Sequence, residues 1–234
     1  LGRLAGVGVP LYAAEHMYVI TEAHPEIRPN LPVLRDTDGT IYVKEDAGKL
    51  LVGSFEAKAK SLPMSRLPAN FQFGELGEDW KQFEEPMTNA MSLVPLIGEL
   101  GIRHFLNGPG SLTPANRFIL GEAPSVGNLC VASGLNPQGI LSSAGVGKAM
   151  SEWIVAGEPT MDLAELDIAR FNAFEVNERF LHDRISESLG LLYAMHWPHR
   201  QFETARGIRE VPLHARLKAK GAVFGTAAGW ERAN

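Results

Sequence analysis

The sequence predicts an α+β protein, a mixed, largely antiparallel sheet with helices on one side. Three observations predict it. Two β-prone runs at 40–44 and 50–53 flank a short gap that contains Gly48. Residues 79–100 carry apolar side chains at helical spacing. An apolar run at 128–132 leads through a glycine-rich turn into a segment of helical composition.

Taken in order, residues 1–8 read as the tail of a helix. Leu1, Leu4 and Ala5 share a face, and Gly6 and Gly8 are stop signals. Pro10 then holds the chain extended, and residues 16–21 (HMYVIT) read as a strand. A loop follows with Pro25, Pro29 and Pro32. Next comes the clearest hairpin, 40–44 with 50–53, its gap spanning 45–49 and Gly48 available for a positive φ. Residues 57–73 carry few signals and read as loop.

Within 79–100, Trp80, Phe83, Met87, Met91, Val94 and Ile97 recur at steps of three and four, with a break or kink expected near Pro86 and another near Pro95. Residues 102–106 read as a strand entering a loop at 107–110. Residues 117–120 and 128–132 read as short strands, and 140–156 as a helix closed by Gly157 and Pro159. From Asp162 the texture changes. Residues 167–189 are helix-prone, with Phe171, Phe174, Phe180, Leu181, Ile185 and Leu189 as the apolar positions. The tail from about His196 is aromatic and basic with weak periodicity. A boundary at 157–160 divides the chain into 1–160 and 161–234.

Composition excludes several classes. Among 234 residues, 22 Lys and Arg against 27 Asp and Glu leave a net charge of −5, which argues against a general basic field for nucleic acid. One cysteine, Cys130, excludes an internal disulfide framework; set in an apolar run, it reads as a buried, inert thiol. No apolar run approaches the ~18–20 residues of a membrane span. No signal peptide opens the sequence.

The candidate chemistry lies in three places. Gly134, Gly139, Gly145 and Gly147 sit where a strand ends and a helix begins. Such a junction exposes backbone N–H groups to a partly negative ligand, or simply packs a helix tightly on a strand. The dinucleotide fingerprint G-x-G-x-x-G is absent, and Ala149 stands where a phosphate loop needs Ser or Thr. His16 and Tyr42 fall on two strands; on neighbouring strands they share a cavity as proton acceptor and hydrogen-bond donor, or else are a half-buried histidine and an ordinary strand tyrosine. His196, His199 and His214 match no zinc spacing, so no metal is expected, and Ser111, Ser142 and Ser143 lack G-x-S-x-G context.

Several short stretches occur together in one order: His16-Met17-Tyr18-Val19; Leu31-Pro32-Val33-Leu34-Arg35-Asp36; Tyr42-Val43-Lys44; Leu51-Val52-Gly53-Ser54-Phe55-Glu56; Asn107-Gly108-Pro109 with Thr113-Pro114; Leu120-Gly121-Glu122-Ala123-Pro124; the 134–148 segment; Asp167-Ile168-Ala169-Arg170-Phe171; and Gly221-Ala222-Val223-Phe224 before Gly229-Trp230-Glu231-Arg232. In these the chain resembles the sarcosine and dimethylglycine dehydrogenase family, flavoproteins of the D-amino-acid-oxidase type. It departs from that family's pattern at Ala115, at Leu135-Asn136-Pro137 and at Ser143-Ala144.

The resemblance implies the C-terminal part of a D-amino-acid-oxidase-type fold. Residues 1–160 would be the C-terminal half of the FAD- and substrate-binding domain. Residues 161–234 would be a helical linker and the start of a central domain leading to a folate-binding, aminomethyltransferase-like region. The implied activity is FAD-dependent oxidative demethylation of a small N-methylated amino acid by hydride transfer to flavin. His16 and Tyr42 would be catalytic, with Gly134, Leu135, Asn136, Gln138, Gly139 and Ile140 against the flavin. Implied partners are a small N-methyl amine, an electron-transfer flavoprotein or oxygen as acceptor, and an N-terminal flavin domain outside this chain, but no nucleic acid and no membrane. Tetrahydrofolate is implied only for a region beyond Asn234. The compartment would be the cytoplasm of a bacterium or else the mitochondrial matrix. Residues 193–209 also resemble the regulatory subunit of pyruvate dehydrogenase phosphatase, which implies a non-catalytic alternative; retention of His16 and Tyr42 favours the enzyme. A first residue other than methionine, the absent fingerprint and the Gly229-Trp230-Glu231-Arg232 ending read as an excerpt of something longer, expected to be inactive alone and to bind FAD weakly or not at all.

Overall fold

The computed structural model describes residues 1–198 and 200–234; His199 lies outside the described residues. The architecture is α+β, with two compact units. One comprises Ala13–Gly110 and Leu189–Met195. The other comprises Leu1–Tyr12, Ser111–Ser188 and His196–Asn234.

The first unit is built on a six-stranded sheet. Its strands are β1 (Tyr12–Thr21), β2 (Leu34–Asp36), β3 (Ile41–Asp46), β4 (Lys49–Ser54), β5 (Ser61–Leu62) and β6 (Ile102–Leu112), in the order β2-β3-β4-β1-β5 with β6 also on β1. The pairs β2/β3, β3/β4, β1/β4 and β1/β5 are antiparallel. The β3–β4 turn is tighter than the 45–49 gap read from sequence. Ala47 (φ 51°) and Gly48 (φ 77°) alone form it, and two left-handed residues match the right-handed twist of the flanking strands.

Period-two alternation gives this sheet a dry face. Met17, Val19, Ile41, Val43 and Val52 are buried together with Phe83, Ala90, Ile97 and Phe105. Phe83 and Ala90 come from helix α1 (Trp80–Leu93), which starts where the Asp79 carboxylate accepts from the Gln82 amide at 3.1 Å. Helix α1 runs unbroken through Pro86, where a break or kink is expected from sequence. Proline removes one amide there, while the buried face around it keeps the helix packed. The break at Pro95 does occur, and Pro95–Glu99 is 3₁₀.

Strand β6 runs through 107–110, which the sequence presented as a loop. Asn107 is held there: its side-chain amide donates to Glu15 Oε2 (2.8 Å) and to the Gly77 carbonyl (3.0 Å). Among the described residues β6 pairs only with β1, and a free edge tolerates Pro109. Within 57–73, β5 and a 3₁₀ turn at Met64–Arg66 replace part of the expected loop.

In the second unit, a 3₁₀ turn at Gly2–Ala5 ends at Gly6 with φ 69°. Strands β7 (Ile119–Glu122) and β8 (Cys130–Ser133) are antiparallel and precede helix α2 (Gly139–Ala156), which Gly157 closes at φ 82°. Ala149, Met150 and Trp153 of α2 are buried with Leu120 and Leu163. Cys130 is exposed, against the sequence reading, because it opens β8 on the outward side of the strand's alternation.

The helix read over 167–189 is three pieces: 3₁₀ turns Ile168–Arg170 and Ala173–Val176, then helix α3 (Glu178–Ser188). Asp167, Asn172 and Asn177 each bond to amides just ahead of them, which starts a new helical segment every five residues. Helix α4 (His214–Ala219) and the hairpin β9 (Phe224–Ala227)–β10 (Trp230–Ala233) complete the unit, the hairpin turning on Ala228 and Gly229, both with positive φ. Glu231 of β10 is 4% exposed and takes both ends of a fork from Arg206, Nε to Oε1 and Nη2 to Oε2 at 2.6 Å each. That bonding holds its carboxyl down at about 2. No helix among the described residues is long and apolar enough to cross a membrane.

Candidate functional site

The sheet face opposite the dry one carries the first group of candidate residues. Arg35 of β2 pairs with Tyr42 of β3, Tyr42 with Gly53 of β4, and Gly53 with Tyr18 of β1. Directly opposed residues share a face, as do residues two apart on one strand. His16 precedes Tyr18 by two, and Phe55 follows Gly53 by two just past the end of β4.

His16 and Tyr42 are therefore not on neighbouring strands, since β4 lies between β1 and β3. Gly53, without a side chain, lets the Tyr42 ring lie over β4. A Cβ on Gly53 would collide with Cζ and Oη of Tyr42. Phe55 fills the ground between the two rings, its centroid 5.3 Å from His16 and 5.6 Å from Tyr42.

A third ring joins from far along the chain. Tyr193 packs on Phe55 at 4.5 Å. It is carried by the turn Gly190–Leu192, in which Gly190 rests on the backbone of residues 56–57. A Cβ on Gly190 would stand 2.5 Å from Ala57 Cα and 2.7 Å from the Glu56 carbonyl oxygen. Arg35 reaches Tyr193 by an Nε–Oη hydrogen bond of 2.8 Å, with its Cζ 4.5 Å over the ring centroid.

Burial favours the neutral forms here. It lowers His16 to about 4, so the imidazole is uncharged at pH 7, and its Nδ1 is buried with no partner among the described residues. Burial, followed by the charges of Tyr193, Tyr18 and Glu56, pushes Tyr42 up to about 12 and keeps it a donor. Burial also lifts Glu56 to about 7. Glu56 is 8% exposed, and neither oxygen finds a partner in another of the described residues. The chemistry such a surface supports is hydrogen bonding to a substrate in its uncharged form.

The second group belongs to the other unit. Gly134 follows β8 at φ 69°, against Thr113 and Leu11. Leu135 is half-buried, and Asn136 accepts from the Ser111 amide at 3.3 Å. Gln138 caps α2 without a side-chain hydrogen bond, and Gly139 is its first residue. Ile140 and Leu141 are exposed at 97% and 83%. The first-turn amides thus have no side-chain acceptor, and apolar surface lies beside them. That combination suits a flat ligand that carries partial negative charge at one edge.

Sequence reading assigned no role to Arg35, Phe55, Glu56 or Tyr193. The first three lie inside short stretches it singled out, and Tyr193 opens the 193–209 stretch. Of the tail histidines, His214 stacks on Phe224 at 4.0 Å and faces Glu210 at 3.2 Å. No group of three or more metal-ligating side chains occurs among the described residues.

A family model described as FAD dependent oxidoreductase matches residues 1–153, and one described as FAD dependent oxidoreductase central domain matches residues 156–210. The chain is 44% identical over 234 residues to 4-methylaminobutanoate oxidase (formaldehyde-forming) of Paenarthrobacter nicotinovorans, covering 100% of this chain and 28% of that protein. It is 35% identical over 233 residues to mitochondrial sarcosine dehydrogenase of Mus musculus, covering 99% and 25%. The chain thus spans about a quarter of the length of these curated relatives. Among solved structures, L-proline dehydrogenase from P. horikoshii superposes with a TM-score of 0.59 at 18% identity, over 73% of this chain and 43% of that one, a likeness of fold.

Proposed function

This chain belongs to the FAD dependent oxidoreductase family, and from that premise we propose that its site serves the oxidative demethylation of a small N-methylated amino acid. The observation that carries the reading is the cluster of His16 and Tyr42 on Phe55, a surface of neutral hydrogen-bonding groups. The relatives, a 4-methylaminobutanoate oxidase (formaldehyde-forming) and a sarcosine dehydrogenase, support the substrate class.

An amine gives up hydride from its methyl carbon only when its nitrogen lone pair is free. His16, uncharged, accepts a hydrogen bond from the N–H of a secondary amine and supplies no proton to the nitrogen of either a secondary or a tertiary one. Burial around His16 and Tyr42 makes the ammonium form costly. Tyr42 keeps its proton and orients the substrate as donor. When bound, FAD supplies the acceptor for the two electrons leaving the methyl carbon, which water then releases as formaldehyde. Gly134, Leu135, Asn136, Gln138, Gly139 and Ile140 would hold the flavin ring, with the open amides at the start of α2 favouring negative charge.

Residues 1–160 as the flavin- and substrate-binding half, with 161–234 as linker and start of the central domain, complete the reading; the match of a central-domain model to 156–210 supports it. An electron-transfer flavoprotein or oxygen would reoxidise the enzyme, and tetrahydrofolate would take the one-carbon unit in a region outside this chain. Oxygen uptake and formaldehyde trapping separate these branches.

The test is anaerobic mixing of the flavin-loaded full-length enzyme with sarcosine, dimethylglycine and 4-methylaminobutanoate. Loss of the oxidised-flavin absorbance with any of them, and its severe slowing in His16→Ala and Tyr42→Phe, is the expected result. A full-length protein that purifies without flavin overturns the reading in favour of the regulatory one. Oxidation unchanged in both variants overturns the site.

A further inference from the structure

We propose that Arg184 anchors a second binding site, one for a small carboxylate with a compact apolar body. The residue lies in the 156–210 stretch matched by the central-domain model, and in the compact unit that does not hold His16 and Tyr42. The inference is therefore independent of the amine-oxidising reading.

Helix α3 carries Arg184, which is 6% exposed. Two rings hold its guanidinium, Cζ lying 4.1 Å from the centroid of Phe202 and 5.2 Å from that of Phe180. Nη2 donates to the carbonyl oxygens of Thr204 (2.8 Å) and Ala205 (3.2 Å). Nε is buried and has no acceptor among the described residues. A charged donor taken out of water without an acceptor is costly, so an acceptor brought by a ligand is favoured at that atom.

Arg184 lines a cavity of about 120 Å³ whose walls all come from one unit. Phe174, Phe180, Phe202 and Ile208 make those walls mostly apolar. An apolar cavity of roughly 150 Å³ holds one benzene, so this one takes a ligand of about five or six heavy atoms. A wider hollow of about 630 Å³ shares Phe174, Phe180 and Ile208 with it and gives such a ligand a way in.

Charge selects an anion. The cavity's cations are Arg184 and Arg209, the latter held by Asn172 Oδ1 and by the Trp230 ring. Its acids are Glu231 and Glu175. The fork of Arg206 takes Glu231, and Glu175 Oε2 accepts two bonds from Asn172. Glu187, one turn beyond Arg184 on α3, turns both oxygens to the amides of residues 203 and 204 and the Thr204 hydroxyl. Arg184 thus has no carboxylate of its own, and burial draws its guanidinium below arginine's ordinary range. A carboxylate oxygen at Nε makes the charge-assisted bond that these acids do not.

The experiment is calorimetric titration of the full-length protein, as purified, with isobutyrate and with isobutyramide, its uncharged counterpart of the same shape. Flavin absorbance is followed in parallel. Isobutyrate is expected to bind one site with a Kd on the order of 1 mM and no change in that absorbance. The amide should bind there at least tenfold more weakly. Arg184→Met should remove the site. Ala115→Asp sets a carboxylate in the same cavity wall, and should weaken isobutyrate at least tenfold with melting temperature and flavin content as in the parent. Where Arg184→Met lowers the melting temperature, Ala115→Asp decides. Absence of such a site, equal affinity for the amide, or isobutyrate binding with the same stoichiometry and affinity in Ala115→Asp overturns the proposal. So does isobutyrate binding that registers only as a change in flavin absorbance.

Discussion

Tyr42 lies across the α-carbon of Gly53, its register partner on β4, so closely that a methyl group there would coincide with the phenol. Gly53→Ala must therefore displace the ring or the strand. The expected cost is about 1–3 kcal/mol in unfolding free energy, read by urea denaturation. In the full-length enzyme, a loss of amine oxidation at least as large as that of Tyr42→Phe should accompany it. A Gly53→Ala variant with parental stability and turnover would mean that the tyrosine is free to leave this position at no cost.

His16 and Glu56 give stability opposite slopes with pH. The folded Glu56 keeps its proton up to about 7, whereas unfolded it releases it near 4.5. Stability therefore falls as pH rises between those values. The folded His16 stays neutral down to about 4, whereas unfolded it takes a proton below 6.5. Stability therefore rises with pH across 4 to 6.5. In the overlap the two offset each other. Glu56→Gln should expose the rising slope and gain on the order of 3 kcal/mol over the parent by about pH 8, measured relative to pH 4. His16→Gln should expose the falling one. Denaturation series across this range check both signs.

Gly190→Ala should act on Tyr193 without touching it. The added methyl meets backbone at residues 56–57, which cannot swing aside as a side chain would. A loss of about 1–3 kcal/mol is expected. Amine oxidation by the full-length enzyme should fall with it, because Phe55 loses the ring packed on it. Parental stability and turnover together would show that the 190–193 turn is not what places the ring.

The buried Glu231 pairs with the half-buried Arg206, remote in sequence. Removing Arg206 strands the carboxylate, so Arg206→Met should cost about 1–3 kcal/mol and Glu231→Gln less, and the double replacement less than their sum. The depressed Glu231 carboxyl also supplies stability that is complete above 4.5 and is lost as pH falls toward 2. Thermal melts of the single and double variants at neutral and acid pH test both statements.

Local order was readable where local physics decides it. The β3–β4 hairpin follows from alternating β-prone residues around Gly48, and α2 from its helical composition closed by Gly157. Residues 107–110 read as a turn because Asn, Gly and Pro favour one, yet pairing with β1 and the two bonds of Asn107 draw them straight. The split of 167–189 left a signal that was passed over, an Asp or Asn every five residues, each able to start a helix. Of the site, His16 and Tyr42 stood out in β-prone runs. Arg35 and Tyr193 are 158 residues apart. Their meeting depends on Gly190 fitting a particular backbone surface, and no window of sequence contains both halves of that contact.

Phe55 contributes no polar atom, yet His16, Tyr42 and Tyr193 all lean on it. Their positions are consequently not independent variables. Any change in the tilt of that one phenyl ring is distributed to three hydrogen-bonding groups at once, and through Tyr193 to Arg35. Selection for a longer or shorter substrate therefore has a single apolar residue through which to reshape the whole surface, leaving every reactive side chain in the sequence unaltered.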